Sequence, residues 1–384
     1  MDSSLYFISL FQSAFLSFLS GKLAISKQKH VEGRQDLRQS LILQSEWREL
    51  RAACVKELMW SHVCLLEWDE AKECAESLLQ GTAWCPQLYH FLIAGFLQAK
   101  EGLERVQTKK EPYFQQSAET QGIIRECMKK VKELSEGAED RTNLESMMMD
   151  QATAYVEEGK DLLVPVIEVM YESNRLRHMP MDQMAKITVL LEKRVFKLIR
   201  DEDLMADLEA EFGDPLDGYA KLYLLISVCH KYARPKPGMD RDSHVEYAIY
   251  KLKNTLEKKR KIKDTRVIAR TTMHLGMMLC DARKAMEGRF WLETVEQDHA
   301  DVLTLSECIM IDQYLRQSVP ETDDDFQQPR KLSLRRSSAV DVQAKMLKQL
   351  ARRRSGSIGY EHSGEFAAQP PSLLAGHIPG ILTE

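Results

Sequence analysis

From residue 4 to residue 316 apolar residues recur at spacings of three and four, and no stretch alternates apolar with polar over the length of a strand. A chain patterned in this way buries its apolar stripes by packing helix against helix. The spacing predicts helices over 4–19, 33–45, 47–66, 69–80, 86–100, 117–135, 143–157, 161–174, 181–199, 217–232, 243–258, 265–281, 283–297 and 300–316. Turns are expected at Gly81 to Pro86, Gly213 to Pro215 and Ala233 to Gly238, where glycine and proline interrupt the pattern. Many short helices with short connections describe an all-α array of helix hairpins, and 384 residues suffice for one extended array or for two or three domains.

With 44% apolar and 29% charged residues the chain has the balance of a folded protein, which excludes disorder throughout. A net charge of −5 gives no global field for nucleic acid, and no nucleic-acid partner is expected. The eight cysteines, Cys54, Cys64, Cys74, Cys85, Cys127, Cys229, Cys280 and Cys308, form no CxxC pair and mostly fall inside apolar helical patterns. There a free thiol behaves as a small hydrophobe, and the expected compartment is the reducing cytoplasm. Near the N-terminus, the segment Ser4 to Ser20 lacks a basic leader and is broken by Ser9, Gln12, Ser13 and Ser17. It reads as a buried amphipathic helix, with an anchor or signal as the alternative.

The stretch ELMWSHVCLLEWDEAKECAESLL, residues 57 to 79, combines metal-ligand and acid/base residue types. Cys54, Leu58, Ser61 and Leu65 form one helical stripe, and Ala71, Cys74, Ala75 and Leu78 form another on a second helix. Small residues at Ala71 and Ala75 let two helices approach closely, while Leu58 and Leu78 fill the space around the crossing. A second hairpin is expected from His274 to Val295. There Leu275 and Gly276 take the leucine and small positions of a tetratricopeptide pattern, and Gly288 and Leu292 take the small and bulky positions of the second helix. A third joins Leu224–Tyr232 to Glu246–Leu256, with Ser227 and Ala248 small and Leu252 bulky.

Residues Ser45 to Leu97 resemble the tetratricopeptide repeat protein 39 family, which includes the fungal inclusion body clearance proteins. The residues that carry the resemblance are Glu46-Trp47, Glu57 to Trp60, His62, Trp68, Ala71, Ala75, Leu78-Leu79, Trp84, Tyr89 and Ala94. Leu162 to Tyr171, LLVPVIEVMY, resembles a second block of that family. The resemblance spans 45–316, leaves 4–45 as a degenerate preceding helix pair, and implies that only the C-terminal half of the family is represented. Gly288 departs from the usual alanine, at about 1 kcal/mol of helix propensity. The family implies a cytosolic adaptor, and its fungal members are linked to clearing protein inclusions and to lipid droplets.

No metalloprotease, phosphate-loop, nucleophile-elbow or dinucleotide motif is present. His62 and Cys64 point about 200° apart on a helix, so a shared metal ion is not expected. Glu57, Glu67, Asp69, Glu70, Glu73 and Glu76 are expected mostly at the solvated side or the turn. The tryptophans are expected in packing, with Trp60 and Trp68 as the candidates for an exposed partner surface. Lys258 to Lys263, KKRKIK, reads as a solvated loop, the rival reading being a nuclear-import or acid-binding patch. Between Arg330 and Arg354 nine basic residues face one Asp, and Ser333, Ser338 and Ser355 each follow basic residues at the spacing basophilic kinases use.

The expected organisation is a degenerate helix pair over 1–45, a repeat segment with the family motif over 46–160, tetratricopeptide-like repeats over 161–320, and a disordered basic tail over 321–384. The expected function is a non-catalytic adaptor holding a protein partner in its helical groove, without cofactor. The alternative is a peripheral membrane or lipid-droplet protein using the apolar N-terminal helix and the basic tail.

Overall fold

The computed structural model describes residues 3–44, 46–81, 85–110, 116–137, 141–200, 215–233 and 241–317. Among them are fourteen α-helices and no strand. They are α1 (Ser3–Ser26), α2 (His30–Leu43), α3 (Arg48–Leu65), α4 (Trp68–Gly81), α5 (Pro86–Thr108), α6 (Ala118–Ser135), α7 (Asn143–Glu157), α8 (Pro165–Glu172), α9 (Met181–Arg200), α10 (Pro215–Tyr232), α11 (Arg241–Glu257), α12 (Thr265–Asp281), α13 (Ala285–Asp298) and α14 (Leu305–Gln317). The fold is an all-α helical repeat array. Of the described residues, those up to Lys263 form one compact unit and those from Asp264 onward another.

Local chemistry sets many of the boundaries. Thr142 and Glu145 close a capping box on α7, Ser117 caps α6, and the Asp264 carboxylate accepts from the backbone N–H groups of Arg266 and Val267 at the start of α12. Pro86 and Pro165 open α5 and α8, where a missing N–H costs nothing. This places the start of α8 four residues later than the sequence pattern suggests. The first helix runs on to Ser26 rather than ending near residue 19, because Gly21 lies at a helix crossing and does not stop the helix.

Three hairpins repeat one turn. At Gln28, Leu66 and Arg283 the backbone is left-handed, with φ of 62°, 63° and 61°. The next residue's N–H reaches back five residues to a carbonyl, Lys29 to Ala24 at 3.0 Å, Glu67 to His62 at 3.0 Å and Lys284 to Leu279 at 2.8 Å. This is the Schellman closure of a helix C-terminus, made here without glycine. The residues seven before and five after the left-handed position face each other at the crossing in the first and third hairpins, Gly21 with Gly33 and Gly276 with Gly288, and the corresponding Met59 and Ala71 of the second are fully buried.

The glycine pairs make close crossings. A Cβ on Gly33 would stand 2.6 Å from Ile25 Cγ1 and 2.8 Å from the Gly21 oxygen. A Cβ on Gly288 would stand 2.5 Å from Cys280 Sγ and 2.7 Å from the Gly276 oxygen. Gly288 is therefore a packing requirement, and the helix propensity it costs is offset by contact an alanine would block. The N-terminal pair α1/α2, expected as degenerate, has the same crossing as α12/α13.

In the first unit successive helices from α1 to α7 pack on their neighbours, α8 packs against α5, and α9, α10 and α11 follow in sequence. In α10/α11 the Ser227 hydroxyl donates to the Ala248 carbonyl at 3.4 Å, and Leu252 is buried beside them. In the second unit Ala269, Met273, Met277, Leu292, Val295 and Ile311 form one apolar cluster. A buried Arg270–Glu307 pair at 2.8 Å joins α12 to α14 there.

Candidate functional site

The residues of the 57–79 stretch separate once they are placed in space. Leu58, Cys74, Ala71, Ala75 and Leu78 are buried in the α3/α4 packing, each large apolar side chain contributing about 1.5–3 kcal/mol by leaving water. Leu275, Gly276, Gly288 and Leu292 hold the matching places in α12/α13. Cys64 and Cys74 are sealed in apolar surroundings that push their thiols up to about 12, so neither carries thiolate at neutral pH.

Glu57 corrects the expectation of a solvated carboxylate, being only 3% exposed. Arg175, in the turn after α8, grips it with two hydrogen bonds, Nη1 to Oε2 at 2.6 Å and Nη2 to Oε1 at 3.0 Å, and Lys22 of α1 stands 3.8 Å away. Burial alone would push the carboxyl up; the Arg175 hydrogen bonds and charge, with Lys22 and Lys56, outweigh it and hold it below its ordinary 4.5. Cys54, Glu57, Ser61 and Cys64 follow a 3-4-3 spacing, which is the sequence signal that Glu57 lies on the buried row. Its partner, 118 residues away, left no local trace.

The same turn is held at further points. His30 of α2 sits between the Ser61 hydroxyl at 3.0 Å and the His178 carbonyl at 2.9 Å, so a neutral ring donating from Nε2 and accepting at Nδ1 satisfies both. His178 Nδ1 lies 3.3 Å from the Ser26 carbonyl, and Gln28 Nε2 donates to the Arg177 carbonyl at 3.1 Å. Beside this cluster Arg34 and His62 both engage Glu67 Oε2, at 2.7 and 2.6 Å. Burial holds the His30, His62 and His178 rings below 6.5.

Upstream, the segment leading into α8 is fastened to α5. Gln98 Nε2 donates to the Leu162 carbonyl at 2.8 Å, and a Cβ on Gly95 would stand 3.0 Å from Val166 N. Buried Glu168 takes hydrogen bonds from Gln151 and Lys221 at 2.8 and 3.0 Å. Residues 162–179 thus lie against α5, α3 and the α1/α2 turn, fixed by polar contacts at both ends.

Trp60 and Trp68 do not form an exposed surface. Trp60 is 4% exposed, with the Arg175 guanidinium carbon 5.7 Å from its ring, and Trp68 is 6% exposed and stacked on Phe96 at 6.2 Å. The physical reason is their place in the second hairpin: the 162–179 segment lies over one and α5 over the other. Trp47 and Trp291 are half-buried, Trp47 within 6.4 Å of Phe15. Trp84, Ser333, Ser338, Ser355 and the tail from residue 318 lie outside the described residues. Among the described residues no group of three or more His, Cys, Asp or Glu is arranged to hold a metal ion.

The family model for Iml2/Tetratricopeptide repeat protein 39 matches residues 9–233. The chain belongs to this family. The match lies over the N-terminal portion of the chain, which corrects the extent expected from the motif resemblance: it begins in α1, taking in the first hairpin, and ends just after α10. Every member of the polar clasp, from Lys22 to His178, falls inside the matched region. In this Iml2/Tetratricopeptide repeat protein 39 chain two residues of the ELMW motif, Glu57 and Trp60, meet Arg175 of the downstream segment.

Proposed function

We propose that the chain is a non-catalytic scaffold that binds protein partners, working in the cytoplasm without a cofactor. The observation that supports this most is the commitment of the motif's chemistry-bearing groups to internal contacts. Glu57 is taken by Arg175, His30 by Ser61 and His178, His62 by Glu67, and the thiols of Cys64 and Cys74 by apolar packing. What the array offers a partner is surface. The role in protein-inclusion clearance or lipid handling follows from resemblance to the fungal members and is part of the proposal. Proximity labelling with the full chain, followed by direct binding of purified candidates, tests it. Reproducible, saturable partners support the scaffold, and a full chain that labels only its bulk surroundings sinks it.

A second reading is favoured by one observation on α1. Phe15, Leu16, Leu19 and Leu23 are exposed along one side of that helix, Leu16 at 63% and Leu23 at 55%. Such a stripe suits peripheral attachment to a lipid surface. No helix among the described residues is long and apolar enough to cross a membrane. Flotation of the full chain with vesicles, compared with Leu16→Asp/Leu23→Asp, decides this: equal flotation of both proteins, or of neither, removes the reading.

A further inference from the structure

The end of α11 and the turn after it collect positive charge in a chain that is acidic overall. Of the thirteen residues Lys251 to Lys263, seven are lysine or arginine and one, Glu257, is acidic. The run is a built feature and not a loose strand of lysines. Lys259–Lys261 form a 3-10 turn, Ile262 is buried behind it, and Lys263 N donates to Asp217 Oδ1 at 2.8 Å. Lys258, Lys259 and Arg260 are exposed on this fixed turn.

Aromatic rings flank the charge. Lys258 Nζ stands 5.3 Å from the Tyr219 ring, and Lys251 Nζ stands 5.0 Å from Tyr223 and 5.3 Å from Tyr247. Tyr250 lies exposed beside them. Among the described residues the contacts of Lys251 and Lys258 are with aromatic rings, and Lys251, Lys258, Lys259 and Arg260 make no ion pair with a carboxylate. On α6, by contrast, Lys129, Lys130 and Lys132 pair with Glu126, Glu133 and Glu157. Like charges held together by a folded turn repel, and an anionic ligand relieves that repulsion.

The geometry selects among anionic ligands. Tyr223 is buried, and Tyr219 and Tyr247 each meet a lysine ammonium and a second aromatic ring, which leaves them little open face on which bases could stack. The charge occupies one turn and the adjoining side of one helix, a footprint suited to a short segment. The turn itself is pinned, so the run is not presented as an extended basic signal.

We propose that this ledge docks an acidic peptide segment of a partner protein, its carboxylates pairing with Lys258, Lys259 and Arg260 and its backbone lying along Tyr250. The proposal rests on the scaffold reading and supplies the chemistry of the partner. The test is fluorescence anisotropy of the full chain with a fluorescein-labelled glutamate-rich peptide, at low and high salt. Binding is expected that weakens with salt and drops at least about tenfold in Lys258→Glu/Arg260→Glu. The charge-matched reversal Lys129→Glu/Lys130→Glu on α6 is expected to leave it nearly unchanged, and circular dichroism establishes that both variants are folded. Absence of binding, or equal weakening by both reversals, overturns the proposal. So does tighter binding of oligothymidylate or phosphatidylserine vesicles at the same ledge. Partners still recovered by proximity labelling with the ledge reversed would leave the scaffold standing while this docking site falls.

Discussion

Arg175 holds Glu57 through both terminal guanidinium nitrogens, at 2.6 and 3.0 Å, across 118 residues of sequence. The carboxylate is almost wholly out of water, so its charge is tolerable only while that partner stays. Arg175→Met is expected to destabilise the fold by about 3 kcal/mol, because it strands a buried carboxylate. The double variant Glu57→Gln/Arg175→Met is expected to recover a large part of that loss. Urea unfolding of the full chain checks both, with Glu57→Gln measured alone as well, and a double variant destabilised by the sum of the two single variants would mean the pair is not coupled.

Glycine substitutions separate propensity from packing. Gly122 lies in α6 with nothing within 4 Å of a Cβ placed on it, so Gly122→Ala is expected to stabilise by about 1 kcal/mol. Gly33→Ala and Gly288→Ala add the same methyl group at helix crossings and are expected to destabilise by about 1–3 kcal/mol. Opposite signs in thermal unfolding are the expected result, and a stabilised Gly288→Ala would refute the close crossing.

That contrast also marks what could be read in advance. The α3/α4 hairpin was legible because small residues at Ala71 and Ala75 and large ones at Leu58 and Leu78 repeat at helical spacing. Asn143–Glu157 and Thr265–Asp281 were legible to the residue. Gly288 was legible as the small residue of the second helix, but not why glycine and not alanine stands there: propensity is local, whereas the Gly276 oxygen that a methyl group would meet belongs to the facing helix. Trp60 and Trp68 failed as partner residues for a related reason: a tryptophan at a helix surface looks the same in sequence whether a partner or the chain's own residues cover it. The clasp on 174–178 was invisible because its pairs span 118 to 152 residues.

Arg283 is exposed and held at φ 61°, a conformation that costs a side-chain-bearing residue about 1 kcal/mol. Arg283→Gly is expected to raise stability by about 0.5–1 kcal/mol by relieving that strain at the hairpin turn. Differential scanning calorimetry reads the change, and a lowered midpoint would contradict it.

Acid should weaken the first unit in two stages. His30, His62 and His178 are held below 6.5 by burial, so the unfolded chain takes up protons first. Their contribution is full above 6.5 and declines as the pH falls through it. Glu57 is held below 4.5, so its contribution is full above that value and is lost as the pH falls toward its folded value. Urea midpoints on either side of 6.5 and of 4.5 are expected to fall in that order, with a shallower first stage in His30→Gln. A midpoint that rises on acidification would be incompatible with these buried neutral rings.

We propose that the motif's acid, base and thiol groups build the array and that the chain binds partners without chemistry of its own. The most direct measurement of this is a complementation assay in cells lacking the full chain, paired with proximity labelling, using wild type and Cys64→Ala/Cys74→Ala/His62→Gln. A folded triple variant is expected to retain its partners and to complement as wild type does. A folded variant that keeps its partners but no longer complements would contradict it, because those side chains would then be doing chemistry.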